Sequence, residues 1–444
     1  MAETAPAHDD LIALAASAYG AGDLALALQR AEAALEGGSD KPVACNLLGL
    51  IAFASGQTAV AVSRLREAAD LDPGNAEYRN NLGVVQHALD DLAGARLSFE
   101  QALAIDPRFA QAANNLGSVL EKVGDDGAAV GLYRRALDAD PAYVEARDNL
   151  VLVCARVAPQ WHFPMMADRA RNCAYEAALR RSAAGKRVLD IGSGSGLLAM
   201  MAARAGAATV DTCEMQPVVA ATAERIVNAN GLAHAIRVHA KRSDQLQPGA
   251  DLALPAEVLV TETFSSGLFS ERALLAVEDA HGRLVADDAQ VIPRRIAAVG
   301  YLIGGSMVED HLFASSSSGF DLSGFDGLAS PRLGLHLDRV PHDVLSDDFE
   351  LFGFDLASPP FPAARRAFEV EAIAAGRCVA VAQWLRLELD AETTYENRPH
   401  GDAAANGWMH VVYRLARPVD LRRGDRLRLT AAHNKIEMTV GLTV

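Results

Sequence analysis

Apolar positions in the first third of the chain recur in a pattern that repeats every 34 residues. Leu48, Leu82 and Leu116 are each 34 apart, as are Gly49, Gly83 and Gly117, and Pro73, Pro107 and Pro141. Small residues such as Gly83 and Ala102 let two helices approach closely, bulky ones such as Leu82 and Phe99 fill between units, and the proline ends the second helix. The pattern predicts an all-α solenoid of helix–turn–helix units over residues 10–155, with a degenerate first unit around 19–35 and a closing helix from 143 to 153. From 186 the pattern changes to buried strands alternating with helices, at 187–191, 209–213, 236–239 and 258–261. That alternation predicts an α/β, Rossmann-like domain with a parallel sheet, over 156–293. Beyond Pro293 come Val- and Leu-rich strands without helical periods, at 296–303, 378–389, 408–415, 426–431 and 437–444. They predict a β-rich, barrel-like domain over 294–444. Within it, residues 315–326 are rich in serine and glycine yet carry Phe320 and Phe325. A flexible linker would lack those aromatics, so a projecting arm is expected at about 308–342.

A 34-residue helix–turn–helix period is the tetratricopeptide signature. One polar position keeps the same period: Asn81, Asn115 and Asn149. An amide both donates and accepts, so a column of asparagines on a concave face can hold the main chain of an extended peptide without reading its sequence. Such a column resembles the peptide-gripping repeats of protein O-GlcNAc transferase. The alternative is that these asparagines simply face water.

Composition narrows the partners. The chain has 444 residues, 50% hydrophobic and 22% charged, with a formal charge of -16. That balance disfavours direct contact with nucleic acid and suits a basic substrate. Residues 1–9 read as a disordered tail with no cationic start or apolar run, no segment is apolar enough to span a membrane, and the expected location is cytoplasmic. The five cysteines are scattered without C-x-x-C pairing, so no disulfide framework or zinc site is expected.

The chemistry begins at Val188-Leu-Asp-Ile-Gly-Ser-Gly-Ser-Gly196, followed by Glu214. A strand feeding a glycine turn aims a helix N-terminus at a ligand, and an acid at the end of the next strand accepts from ribose hydroxyls. The even spacing of Gly192, Gly194 and Gly196 differs from the dinucleotide fingerprint. Asp190 beside the loop would repel a pyrophosphate but can hold a water or an ammonium group. This is the pattern of S-adenosyl-L-methionine methyltransferases.

The acceptor is read from the loop after the strand 258–261, where Glu262 and Glu271 bracket one segment. Two ionised acids are costly to hold together unless a cation lies between them, and a guanidinium gives paired N–H bonds to each. The loop resembles the double-glutamate loop of protein arginine methyltransferases, whose two acids stand nine residues apart, as these do. Upstream, Trp161-His-Phe-Pro-Met-Met-Ala-Asp-Arg-Ala-Arg-Asn-Cys-Ala-Tyr175 resembles the family's H-x-x-M-x-x-D-x-x-R-x-x-x-Y helix at His162, Met165, Asp168, Arg171 and Tyr175. The chain is most similar to the tetratricopeptide-bearing branch of that family.

The resemblance implies that Glu262 and Glu271 grip the substrate guanidinium, that Arg171 pairs with the cofactor carboxylate, and that Met165 packs near the sulfonium. Glu214 would bind the ribose and Asp244 the adenine amine. His162, Ser193, Met215 and Glu262 complete the cofactor set, and Trp408 would pack beside the substrate side chain. The family's Thr-His-Trp loop appears here as Asn406-Gly-Trp408, so the histidine that partners the acid at Asp168 is missing at Gly407. By strand alternation His410 falls on the opposite face, which leaves His400 or His433 as substitutes. A single catalytic module implies a homodimer formed through the arm, which carries Gly319-Phe-Asp-Leu-Ser323. The implied partner is an arginine-bearing protein or peptide. The sequence leaves open another acceptor, such as lysine or a terminal amine, and a scaffold with a weakened catalytic domain.

Overall fold

The computed structural model describes residues 8–38, 40–158, 162–269, 272–314, 316–399 and 408–443. Trp161, Glu271, Ser315, His400, Asn406 and Gly407 lie outside the described residues. The chain forms two compact units, residues 1–159 and 160–444.

In the first unit, nine described helices run in chain order: α1 (His8–Gly20), α2 (Leu24–Glu36), α3 (Lys41–Ala54), α4 (Thr58–Leu71), α5 (Ala76–Ala88), α6 (Leu92–Ile105), α7 (Ala110–Lys122), α8 (Asp126–Ala139) and α9 (Val144–Val157). The 34-residue period has a steric cause. A Cβ on Gly83 would lie 2.6 Å from the Phe99 ring, and one on Gly117 would lie 2.6 Å from the Tyr133 ring. The bulky partners Leu65, Phe99 and Tyr133 are therefore as periodic as the glycines they cover. Capping follows the same period, since Asp23, Asp91 and Asp125 each accept a first-turn N–H, whereas Gln57 at the equivalent place makes no such bond. Gly83→Ala should overpack this contact and lower stability by about 1–3 kcal/mol in chemical denaturation. Gly131→Ala in α8, where nothing lies within 4 Å of a Cβ, should be neutral or stabilising by up to about 1 kcal/mol.

The asparagine column has an additional role between repeats. Asn81, Asn115 and Asn149 each donate at 3.0 Å to the side-chain oxygen of Asn46, Asn80 and Asn114, which are buried on the preceding repeat. Each rung therefore commits one amide N–H to holding neighbouring repeats in register.

The second unit opens with α10 (His162–Ala167) and α11 (Arg169–Ser182). The chain then alternates through β1 (Arg187–Ile191), α12 (Leu197–Arg204), β2 (Thr209–Cys213), α13 (Pro217–Ala229), β3 (Ile236–His239), β4 (Ala256–Thr261), α14 (Ala273–Arg283) and β5 (Val285–Ile292). The five strands form a parallel sheet in the order β3-β2-β1-β4-β5. The order reverses at β1, so the crevice beyond the carboxyl ends of β1 and β4 is where such a sheet binds ligands.

The remainder is antiparallel and β-rich: β6 (Arg295–Gly304), α15 (Ser306–Leu312), β7 (Ser316–Ser317), β8 (Phe320–Asp321), β9 (Arg332–Leu335), β10 (Asp343–Val344), β11 (Phe349–Asp355), β12 (Ala364–Glu371), β13 (Gly376–Glu388), β14 (Thr394–Glu396), β15 (His410–Leu421), β16 (Arg426–His433) and β17 (Met438–Leu442). One sheet runs β10-β6-β13-β15-β9, with β11 also on β6 and β14 on β13, and a second runs β12-β16-β17. One apolar core extends from Tyr175 and Leu189 of the α/β part to Leu385 and Leu429 of the β-rich part, and a second, around Val299, Tyr301 and Trp384, lies within the β-rich part. The strands absent from the sequence reading are edge strands. In β5 the central Asp287 and Asp288 face solvent, and β12 exposes Arg365 and Arg366.

The expected arm exposes its large apolar side chains: Phe320, Phe325 and Leu328 are 70%, 71% and 78% accessible. Its base is fixed, because Asp326 accepts from the Ala314 N–H at 2.7 Å and pairs with Arg414 at 3.0 Å. The Arg414 guanidinium lies 3.9 Å from the centre of the Phe313 ring. No described helix is long and apolar enough to cross a membrane.

Candidate active site

The glycine turn after β1 is shaped by its neighbours. Gly192 has φ +88°, and a Cβ there would lie 2.4 Å from Thr263 Cγ2, so a side chain is excluded on both counts. The N–H groups of Gly192 and Ser193 donate to the Cys213 carbonyl at 3.0 Å. Gly194 N–H donates to Glu214 Oε2 at 3.1 Å, and Gln216 N–H to its Oε1 at 2.9 Å. Turn and acid are thus one construction, and Gly196, with φ +79°, is the N-cap of α12. Asp190 is fully buried and accepts from Thr212 Oγ1 at 2.9 Å. Its Oδ1 and the Ser193 Oγ have no hydrogen-bond partner among the described residues. Burial pushes the Asp190 carboxyl up to about 7, against the pull of the Thr212 hydrogen bond. Met215 is exposed just past Glu214. Asp244 lies in a short 3-10 turn, Ser243–Gln245, and is ion-paired with Arg242 at 2.5 Å.

The helix signature converges on Glu262. Asp168 is the N-cap of α11 and accepts from the Arg171 N–H at 3.0 Å. That cap fixes the first turn, from which Arg171 reaches Glu262 Oε2 at 2.7 Å; the two side chains are only 3% and 4% accessible. The guanidinium also donates to Asn172 Oδ1 at 2.6 Å and lies 5.1 Å from the centre of the Tyr175 ring. The Tyr175 hydroxyl donates to the Thr261 carbonyl at 3.2 Å, tying α11 to the end of β4. Burial raises the Glu262 carboxyl and the Arg171 charge pulls it back. Burial works against the Arg171 charge, yet the facing carboxylate outweighs it and raises that group. Glu262 Oε1 and Arg171 Nε have no hydrogen-bond partner among the described residues. Glu262 is thus held rigidly by one oxygen and keeps the other open.

The structure supplies the partner of Asp168 that sequence reasoning missed. The Tyr395 hydroxyl, on β14, donates to Asp168 Oδ2 at 2.5 Å, and both residues are buried. Burial, and next this hydrogen bond, push the Tyr395 hydroxyl far above its ordinary range, so it stays protonated and can donate. His433 does not substitute: it stacks on Phe269 at 4.9 Å and meets Phe352 and Phe354 edge-on. His410 is fully buried, with Nε2 2.9 Å from the Asn397 carbonyl, and it lines the same cavity as Trp408; Gly407, from which its face was counted, lies outside the described residues. Tyr395→Phe should leave a buried carboxylate oxygen unpaired, at a cost of about 1–3 kcal/mol. It should lower kcat roughly tenfold or more with little change in the far-ultraviolet spectrum; unchanged kcat would remove Tyr395 from the support of the site.

Glu262 opens into a cavity of about 640 Å³ lined by Met165, the loop 263–267, Arg332, Trp408 and His410. The loop is anchored from the β-rich part. Gln383 donates to the Ser266 carbonyl at 2.7 Å and itself accepts from the Tyr413 hydroxyl at 2.7 Å. Farther along, Leu268 and Arg272 hold positive φ, at +71° and +59°. Such conformations cost about 1–3 kcal/mol each in a side-chain-bearing residue and persist where packing over-determines them. At Leu268, which is fully buried beside Phe269, burial supplies that packing.

A parallel sheet reversing at β1, a glycine turn joined to Glu214, and buried polar atoms left open beside it define a Rossmann-like nucleoside-dependent methyltransferase. The comparisons agree with this class and narrow it. A tetratricopeptide repeat model matches residues 46–108 and 91–144, and a model described as ribosomal protein L11 methyltransferase matches 173–264. The chain is 36% identical over 292 residues to an arginine N(omega)-methyltransferase of Streptomyces achromogenes subsp. streptozoticus, covering 65% of this chain and 80% of that protein. It is 29% identical over 321 residues to protein arginine N-methyltransferase 7 of Danio rerio, covering 65% of this chain but only 46% of the relative. Among solved structures it resembles a Trypanosoma brucei PRMT1 enzyme-prozyme heterotetrameric complex with AdoHcy, with a TM-score of 0.56 at 22% identity, covering 64% of this chain and 93% of that one. The chain belongs to the arginine N-methyltransferase family and carries tetratricopeptide repeats ahead of the catalytic unit.

Proposed function

We propose that this chain transfers methyl groups from S-adenosyl-L-methionine to guanidinium nitrogens of arginine in protein or peptide substrates. The observation that carries the reading is Glu262: one carboxylate oxygen locked by Arg171 and the other open in a cavity. The methyl donor, when bound, supplies an electrophilic methyl group. The residues that would hold it are the turn Gly192–Gly196, Asp190, Glu214 and Arg171, and the open Asp190 Oδ1, Ser193 Oγ and Arg171 Nε suit a ligand bearing hydroxyl, ammonium and carboxylate groups. Asp244, Met215, His162 and Met165 extend this set by resemblance.

Glu262 Oε1 accepts an N–H of the substrate guanidinium and fixes which nitrogen faces the donor. Glu271 is the expected second acid. No strong base is needed before attack, because the positive charge stays on the guanidinium while the proton leaves afterwards. Most of the acceleration then comes from positioning. Trp408 offers an aromatic face to the cation. The asparagine column Asn81, Asn115 and Asn149 would present its remaining hydrogen-bonding capacity to an extended peptide. The exposed Phe320, Phe325 and Leu328 would be covered in a homodimer, and a cytoplasmic location suits a substrate met in solution.

Transfer of labelled methyl to a peptide containing arginine, compared with the same peptide carrying lysine in its place, tests the acceptor. Transfer only to the arginine peptide is expected, and equal transfer to both would overturn the assignment. Donor binding adds a pH test. Ionised Asp190 attracts an ammonium group and the protonated form does not, so with a carboxyl near 7 the affinity for S-adenosylhomocysteine should rise from pH 6 to pH 8. The slope approaches about tenfold per pH unit below the pKa. Asp190→Asn should flatten the titration; a wild-type affinity independent of pH would exclude Asp190 from ammonium binding.

A further inference from the structure

The charge pattern of the cavity goes beyond a guanidinium site. Among its described lining residues only two side chains carry a formal charge, Glu262 and Arg332. Arg332 opens β9, which pairs with β15 so that Arg332 faces Tyr413 across the ladder. Its guanidinium crosses the glutamate loop, with Nη2 3.0 Å from where a Cβ on Gly267 would lie. Its main chain bonds with the Ser330 hydroxyl. Its side chain makes no ion pair among the described residues, whereas Arg181, Arg187, Arg295, Arg386 and Arg398 are each matched to an acid. The neighbouring Tyr413 hydroxyl is already spent on Gln383. Arg332 is solvent-exposed, so pairing it requires no burial of an isolated charge.

A cavity that, among the described residues, has one open carboxylate oxygen and one guanidinium outside any ion pair matches a ligand that carries the opposite charges at its two ends. An arginine with a free carboxyl group is such a ligand, its guanidinium on Glu262 and its carboxylate on the planar fork of Arg332. We infer that Arg332 is a carboxylate receptor, and that the preferred acceptor is an arginine whose own α-carboxylate is free, either the amino acid itself or a C-terminal arginine. This rests on the guanidinium reading of Glu262 and specifies its substrate.

The test is a set of transfer assays on the full chain with labelled S-adenosylmethionine. The acceptors are L-arginine, agmatine (which lacks the carboxylate), a peptide ending in arginine, the same peptide as its C-terminal amide, and a peptide with internal arginine. A charge-assisted pair predicts that kcat/KM for each free-carboxyl acceptor exceeds that for its carboxyl-free or amidated counterpart about ten- to a hundredfold. Comparison of L-arginine with the acid-ended peptide separates the free amino acid from the protein terminus as source. Arg332→Gln should bring those ratios close to one, and Arg332→Lys should retain part of the preference. Equal use of L-arginine and agmatine, or a preference that survives Arg332→Gln, would overturn the inference and leave the arginine reading standing. Absence of transfer to every arginine compound would overturn both.

Discussion

Glu262→Gln should lower kcat for arginine acceptors by about a thousandfold while changing the dissociation constant for S-adenosylhomocysteine by less than about threefold. The substitution keeps the shape of the side chain and removes the negative charge that the guanidinium needs. It also replaces one acceptor oxygen by an N–H donor, which turns a hydrogen bond into a clash of donors. Loss of one pre-positioned electrostatic contact in a water-poor site has an effect of about 10²–10³ on kcat, and loss of orientation adds to it. Cofactor affinity should survive because the glycine turn, Asp190 and Glu214 are held by their own hydrogen bonds, independent of Glu262. Steady-state kinetics and isothermal titration on the same preparation check the two halves; near-wild-type kcat would remove Glu262 from the chemistry.

Arg171→Met should have the largest effect on stability of any single change in the site. The guanidinium and Glu262 are buried together at 2.7 Å, and removing one partner of such a pair leaves an uncompensated charge. That costs about 3–5 kcal/mol, or is relieved by protonation of the carboxyl. The sign on pH dependence follows. Burial already raises Glu262, and Arg171 is what opposes it, so without Arg171 the carboxyl rises further and is ionised only at higher pH. The acidic limb of the pH–rate profile should therefore move to higher pH, and cofactor affinity should fall because Arg171 Nε no longer faces that site. A variant with wild-type stability and an unmoved acidic limb would show that the pair is not the support of Glu262.

The parts of this molecule that were legible in the sequence are those governed by local or periodic rules. The repeats could be found by subtraction because every unit solves the same steric problem, a glycine against Leu65, Phe99 or Tyr133. Strands β1 to β4 were legible because each is a buried run bounded by turn residues, whereas β5 and β12 carry their charges outward at sheet edges and lack an apolar signature. Long-range partners were not legible. Tyr395 lies 227 residues from Asp168, and nothing in the composition of β14 marks its hydroxyl for that acid. Gln383 and Tyr413, which anchor the glutamate loop, look like ordinary strand residues until the sheets are assembled. The asparagine column was visible as a period, but its bonds to Asn46, Asn80 and Asn114 depend on how one repeat stacks on the next.

Glu262, bound to Arg171 on one side and open on the other, sets the choice of acceptor. Its most direct test is mass spectrometry of the product formed by the full chain from labelled S-adenosylmethionine and an acceptor that offers arginine, lysine and a free amine together. Label confined to a guanidinium nitrogen of arginine, and absent from the product of the Glu262→Gln variant, is the predicted result. Label on lysine or on the amine, or guanidinium label undiminished in that variant, would contradict it.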